Sequence, residues 1–198
     1  MPLSRAYVRP RTEIPPPARY GWHAVRQWCH RRESSVLVAA GYGPCNCGRQ
    51  GGVTQVLIVD SQEPTREALC RALDGTDDIK VLAVTRDYEA SVRAICRHEI
   101  DIILIDLAGI ADPIGAIADF KQIRPGIRAL VLAGTQEAAD ALQALGAGVD
   151  GYITTEDDSD TLLTAIRCVA SGERYVCPMV GWHLAMNLLH AFPGAVLH

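Results

Sequence analysis

The chain has 198 residues, 48% of them hydrophobic and 21% charged, with a formal net charge of -4. This is the make-up of a globular chain with a buried core, and it excludes a fibrous or fully disordered protein. No run approaches the ~18 apolar residues that a membrane span needs, so a membrane-spanning protein is excluded and no membrane partner is expected.

Charge divides the chain. Residues 1–52 carry eight Arg and two Glu, whereas residues 53–198 carry 11 basic and 21 acidic residues. The first part also holds Pro15, Pro16, Pro17 and a Gly-rich end, a composition with few helix or strand signals apart from a short helical stretch near His23 to His30. It predicts a basic, disordered extension over 1–52. Only two of the 19 basic residues are lysine, the mark of a GC-rich coding sequence, in which a start near Val53 is the alternative reading. Arg31 and Arg32 are followed by five apolar residues, Val36 to Ala40, fewer than the ~7 to 15 of an export signal. Seven cysteines, an odd number at low density, predict free thiols in a reducing compartment, hence a cytoplasmic protein. Cys29, His30, Cys45 and Cys47 lack the two- to four-residue ligand spacing of a structural zinc site, so a disordered tail is the simpler reading. Cys70, Cys96 and Cys168 fall within helical stretches, as small packing residues do.

From Val53 onward, short β-branched runs alternate with helical segments, the pattern of a parallel sheet with crossover helices. Strands are predicted over 56–59, 79–84, 102–105, 129–132 and 151–153, each apolar enough to be covered on both faces. Helices are predicted over 65–73, 88–97, 114–123, 137–145 and 159–170. The last carries Ser159 as its expected N-cap, Leu162, Leu163, Ile166 and Val169 as one apolar face, and Gly172 as its stop. A further helix over 178–192 starts at Pro178, with Val180, Leu184, Leu188 and Phe192 at helical spacing. The fold class is therefore α/β, a doubly wound five-stranded parallel sheet with an additional C-terminal helix. The expected domains are the extension 1–52, a core 53–172, and a linker helix and tail 173–198.

In such a sheet the site lies beyond the carboxyl ends of the strands. Asp60 ends the first strand and Asp106 the third, so two carboxylates converge there. The segments VLIVDSQEPTREAL, DIILIDL, and GVDGYITT with LLTAIRCVASGERYVCP resemble the receiver (CheY-like) domain of bacterial response regulators, of the NarL/FixJ/LuxR-type subfamily. The resemblance covers residues 54–172. It implies a flavodoxin-like sheet of order 2-1-3-4-5, Asp106 as phosphoacceptor, Asp60 and Asp106 as Mg²⁺ ligands, and Tyr152 as the switch aromatic.

Three positions depart from the family pattern. Ser61 stands where a second acidic metal ligand is expected, so Mg²⁺ binding is expected to be weak. Ala133 replaces the hydroxyl residue that would bond the phosphoryl oxygen, with Thr135 two residues on. Thr155 replaces the lysine. The resting charge of the pocket is unchanged, because one carboxylate and one lysine are lost together. A phosphoryl group, which itself carries about -1.5 to -2, would meet no lysine, one fewer metal ligand and no hydroxyl at Ala133. The lysine's hydrogen bond is worth roughly 1.5 to 3 kcal/mol, about ten- to 150-fold.

These readings lead to an atypical receiver domain of a two-component signalling system. It is expected to act as a protein-interaction module with weak or no phosphorylation switching, through the face around Tyr152 and Ile166. Its partners would be a sensor kinase, a partner regulator or a second copy of the chain. The alternatives are a phosphorelay regulator still phosphorylated on Asp106, and the remnant of a LuxR-type transcription regulator without its helix-turn-helix output domain. No nucleophile-base pair or phosphate-binding glycine loop identifies an enzyme. The -10 balance of the core opposes specific nucleic-acid binding.

Overall fold

The computed structural model describes residues 52–134 and 141–191, with side chains as far as residue 186. The expected extension with its helical stretch and its Cys/His group, the Thr135 hydroxyl, the start of the helix expected from 137, the side chain of Leu188, and Phe192 lie outside what is described.

The strands β1 (Thr54–Val59), β2 (Ile79–Thr85), β3 (Ile102–Asp106), β4 (Arg128–Ala133) and β5 (Gly151–Thr154) form where β-branched runs were predicted. A short sixth strand, β6 (Tyr175–Val176), joins the far edge. The order is β2-β1-β3-β4-β5-β6, and every pairing is parallel. The five-stranded expectation is thus short by one. Two residues carry no periodicity, and β6 exists because Tyr175 and Val176 register against Gly151 and Tyr152. Every residue of β3 and β5 is buried, as a sheet covered on both faces requires.

The helices are α1 (Glu63–Leu73), α2 (Tyr88–Arg97), α3 (Pro113–Ile123), α4 (Ala141–Gly146), α5 (Ser159–Ser171) and α6 (Pro178–Ala191). Helix α1 packs with α5, and α2 with α3, where Tyr88 stacks on Phe120 at a ring separation of 5.6 Å. Asp87 and Asp112 cap α2 and α3 through their carboxylates. The cap of α5 is Asp158, which accepts from Thr161 N–H at 2.8 Å, so Ser159 is the first helical residue and not the cap. A carboxylate beside two exposed N–H groups at a helix start is the stronger acceptor. The Thr161 N–H, and after it the Thr161 hydroxyl, hold the Asp158 carboxyl below its usual range. Gly172, at φ 101°, closes the helix in the left-handed conformation. Cys70 and Cys168 are half-buried free thiols, whereas Cys96 is disulfide-bonded and departs from the free-thiol expectation.

Candidate functional site

Asp60 directly follows β1, and Asp106 is the last residue of β3. The pairing of Val59 with Ile105 makes the two carboxylates lateral neighbours on adjacent strands, whose spacing is about 4.8 Å. Both are enclosed, with Asp60 0% and Asp106 5% exposed.

The backbone around Asp60 is fixed on three sides. Its N–H donates to the Thr85 carbonyl at 3.1 Å. Its carbonyl accepts from Arg66 Nη1 at 2.9 Å, and its Oδ1 accepts from Gln62 N–H at 2.6 Å. Oδ2 is buried with no hydrogen-bond partner. Asp106 Oδ1 accepts from Ala108 N–H at 3.2 Å and so caps the 3-10 turn Leu107–Gly109. At Gly109 a Cβ would lie 3.1 Å from Ser61 N and 3.3 Å from Asp60 Cα. A Cβ there would make the backbone after β1 give by a few tenths of an ångström, so the bare glycine lets this turn lie closely against that loop.

The opposite wall comes from β4 and β5. Ala133, fully buried, ends β4 and accepts from Thr155 N–H at 3.0 Å. Thr154 is buried, and its N–H and hydroxyl both donate to Asp157 Oδ2, at 2.6 and 2.9 Å. Thr155 and Ser61 are exposed. The expected pocket residues Asp60, Ser61, Asp106, Ala133 and Thr155 therefore gather at one end of the sheet.

The expected interaction face is a different matter. Tyr152 and Ile166 are each 0% exposed, so neither side chain presents a free surface. Tyr152 lies on β5 between Val131 and Val176, with β6 and α6 over that edge. Sequence reasoning missed Arg66, which is 7% exposed. The signal was an arginine at three and seven residues from Leu69 and Leu73, on the buried stripe of α1.

A buried carboxylate oxygen without a partner is costly unless a cation or a proton meets it. Two enclosed carboxylates, one oxygen unpartnered, and the Ser61 hydroxyl at the rim fit a hard cation such as Mg²⁺, which takes one or two carboxylates and keeps waters. Asp60 and Asp106 are the residues that would hold it. Asp60→Asn keeps the acceptor for Gln62 N–H and removes the unpaired charge. In chelator it is expected to raise the unfolding free energy by about 1 to 3 kcal/mol, with the gain shrinking when Mg²⁺ is added. Urea unfolding measures this, and an unchanged or lower stability in chelator would mean that Oδ2 is satisfied in solution.

Residues 56–167 match the family described as the response regulator receiver domain. The transcriptional regulatory protein DegU of Brevibacillus brevis is 30% identical over 131 residues, covering 66% of this chain and 56% of its own. The nitrate/nitrite response regulator protein NarP of Escherichia coli is 29% identical over 137 residues, covering 66% and 61%. The chain thus spans less than two thirds of the length of these curated relatives. Among solved structures, a LuxR-family two-component response regulator from Aurantimonas is similar at TM-score 0.65 and 26% identity, covering 70% of this chain and 99% of that one.

Proposed function

Because this chain belongs to the response regulator receiver domain family, matched over residues 56–167, we propose that it is an atypical receiver that works mainly by protein contact, with phosphorylation of Asp106 weak or absent. The observation that carries this reading is the composition of the wall facing the two carboxylates. Strand β4 ends in the buried methyl of Ala133, and the residue after β5 is the neutral, exposed Thr155.

The chemistry follows from charge. A phosphoryl group moved from an acyl phosphate donor onto an Asp106 carboxylate oxygen leaves the donor's carboxylate behind; the group carries about -1.5 to -2, and since Asp106 gives up its own carboxylate charge the pocket gains at most about one negative charge. Mg²⁺, when bound, would neutralise part of that charge. Asp60 and Asp106 would be its protein ligands, since Ser61 supplies no second carboxylate after β1. An alanine methyl at 133 donates no hydrogen bond, and a threonine hydroxyl at 155 brings no positive charge. The phosphorylated state is therefore poorly held relative to the resting one. The proposed partners are a sensor kinase, a partner regulator or a second copy of the chain.

A second reading, a regulator still phosphorylated on Asp106, is favoured by one observation: the orphaned Asp60 Oδ2 beside Asp106 is suited to a cation. Incubation with a small acyl phosphate and Mg²⁺, read by intact mass, separates the two. The proposal expects less than about a tenth of the protein to carry a phosphoryl group, on the ten- to 150-fold scale of one lost charged hydrogen bond. Majority modification that disappears in Asp106→Asn would replace it by the second reading.

A further inference from the structure

Arg66 is 7% exposed, whereas Glu67 and Ala68, the next residues of α1, are open to solvent. It lies on the buried stripe of that helix with Leu69 and Leu73. Helical side chains lean toward the N-terminus of their helix, which for α1 is the end nearest Asp60 in the chain. Nη1 accordingly donates to the Asp60 carbonyl at 2.9 Å. Among the described residues this guanidinium enters no ion pair, although it carries a full charge.

Two enclosed charges thus meet at Asp60, each incompletely satisfied. The guanidinium has a neutral carbonyl as its acceptor, and the carboxylate has a buried Oδ2 with no hydrogen-bond partner. Burying either charge alone is costly. Bond lengths keep the carbonyl and carboxyl groups of one residue within about 5 Å of each other, so the guanidinium lies within about 8 Å of the Asp60 carboxylate. At that separation the attraction is weak in water. Between enclosed charges it is several-fold stronger and much less screened by salt.

We propose that Arg66 is the built-in counter-ion of the Asp60–Asp106 pair: hydrogen-bonded to the Asp60 carbonyl, it gives the acidic pocket part of the positive charge that Mg²⁺ would otherwise supply. The guanidinium is tied to the chain, so it offsets carboxylate charge whether or not a metal is present. A divalent ion that enters meets a cation already in place, which lowers its affinity. This deepens the proposed weak phosphorylation, in which Mg²⁺ would neutralise phosphoryl charge, and rests on that reading only for placing the cation site at Asp60 and Asp106. The tests use no phosphoryl donor, so the counter-ion can fail while weak labelling of Asp106 stands, and the reverse.

Urea unfolding of the full chain across a Mg²⁺ titration gives the dissociation constant from the concentration dependence of stability. Arg66→Met keeps an apolar stem and removes the charge, and it is expected to bind Mg²⁺ about tenfold more tightly than wild type. Arg66→Lys keeps a charge and is expected to stay within about threefold of wild type. A merely structural arginine would instead loosen Asp60 and weaken the site in both variants. Unchanged or weaker binding in Arg66→Met, or equal tightening in Arg66→Lys, would overturn the proposal. A second readout, in chelator, needs no metal. The rise in folding equilibrium constant caused by Asp60→Asn is expected to be about tenfold larger in the Arg66→Met background than in wild type, and simple additivity would overturn the counter-ion role. Should Arg66→Met fail to fold, Arg66→Gln keeps an amide donor for the carbonyl and gives up the charge. It takes the place of Arg66→Met in both measurements with the same expected directions, and the absence of either effect there would equally overturn the proposal.

Discussion

Replacing Tyr152 by alanine is expected to lower the unfolding free energy by about 3 to 5 kcal/mol, the range for removing a large buried aromatic ring. The ring heads the largest side chains with no exposed surface, in a strand whose four residues are all buried. Its neighbours in register, Val131 on β4 and Val176 on β6, belong to strands that cannot close over the space without breaking their own pairing. The cavity would therefore persist and add its cost to the lost transfer energy. Urea unfolding followed by circular dichroism gives the number. A loss below about 1 kcal/mol, the scale of a surface substitution, would mean that β6 and α6 do not cover β5 in solution.

The second large effect concerns the pocket. Thr155→Lys is expected to favour the phosphorylated form by about ten- to 150-fold in equilibrium constant, which is the worth of one hydrogen bond to a charged group. The side chain at 155 is exposed at the rim, so a lysine there buries no unpaired ammonium and need not disturb the core. Adding Ala133→Ser restores a hydroxyl at the end of β4. That position is fully enclosed, so this change carries a packing cost that the first does not. In the acyl phosphate assay, Thr155→Lys alone should convert minor labelling into majority labelling. Equal labelling of wild type and Thr155→Lys would show that the missing cation is not what limits the site.

The sheet was legible because its strands are apolar on both faces. Runs such as Ile102–Asp106 and Arg128–Ala133 announce themselves without any tertiary information. The acidic pair was legible for a related reason: residues that end consecutive parallel strands must share one edge of the sheet, and the register of β1 with β3 brings Asp60 beside Asp106. Other features depended on contacts that no local pattern encodes. Strand β6 is too short for periodicity, and its pairing with β5 buries Tyr152, a residue whose type suits a surface equally well. Arg66 was hidden by its type, because an arginine on an apolar stripe reads as an edge residue until its guanidinium is found on the Asp60 carbonyl. The displacement of the α5 cap from Ser159 to Asp158 is a one-residue boundary shift, decided by which side chain reaches Thr161 N–H.

The central claim is that the pocket around Asp106 holds a phosphoryl group poorly. Thermal unfolding of the full chain with Mg²⁺ and beryllofluoride, a phosphoryl mimic, tests it most directly when wild type is compared with Asp106→Asn. A ligand present at 100 times its dissociation constant stabilises a fold by about 2.7 kcal/mol, which moves the midpoint by several degrees. The account predicts no resolvable difference between the two proteins at mimic concentrations in the low millimolar range. A shift of several degrees in wild type that vanishes in Asp106→Asn would contradict it and establish Asp106 as a working phosphoryl site.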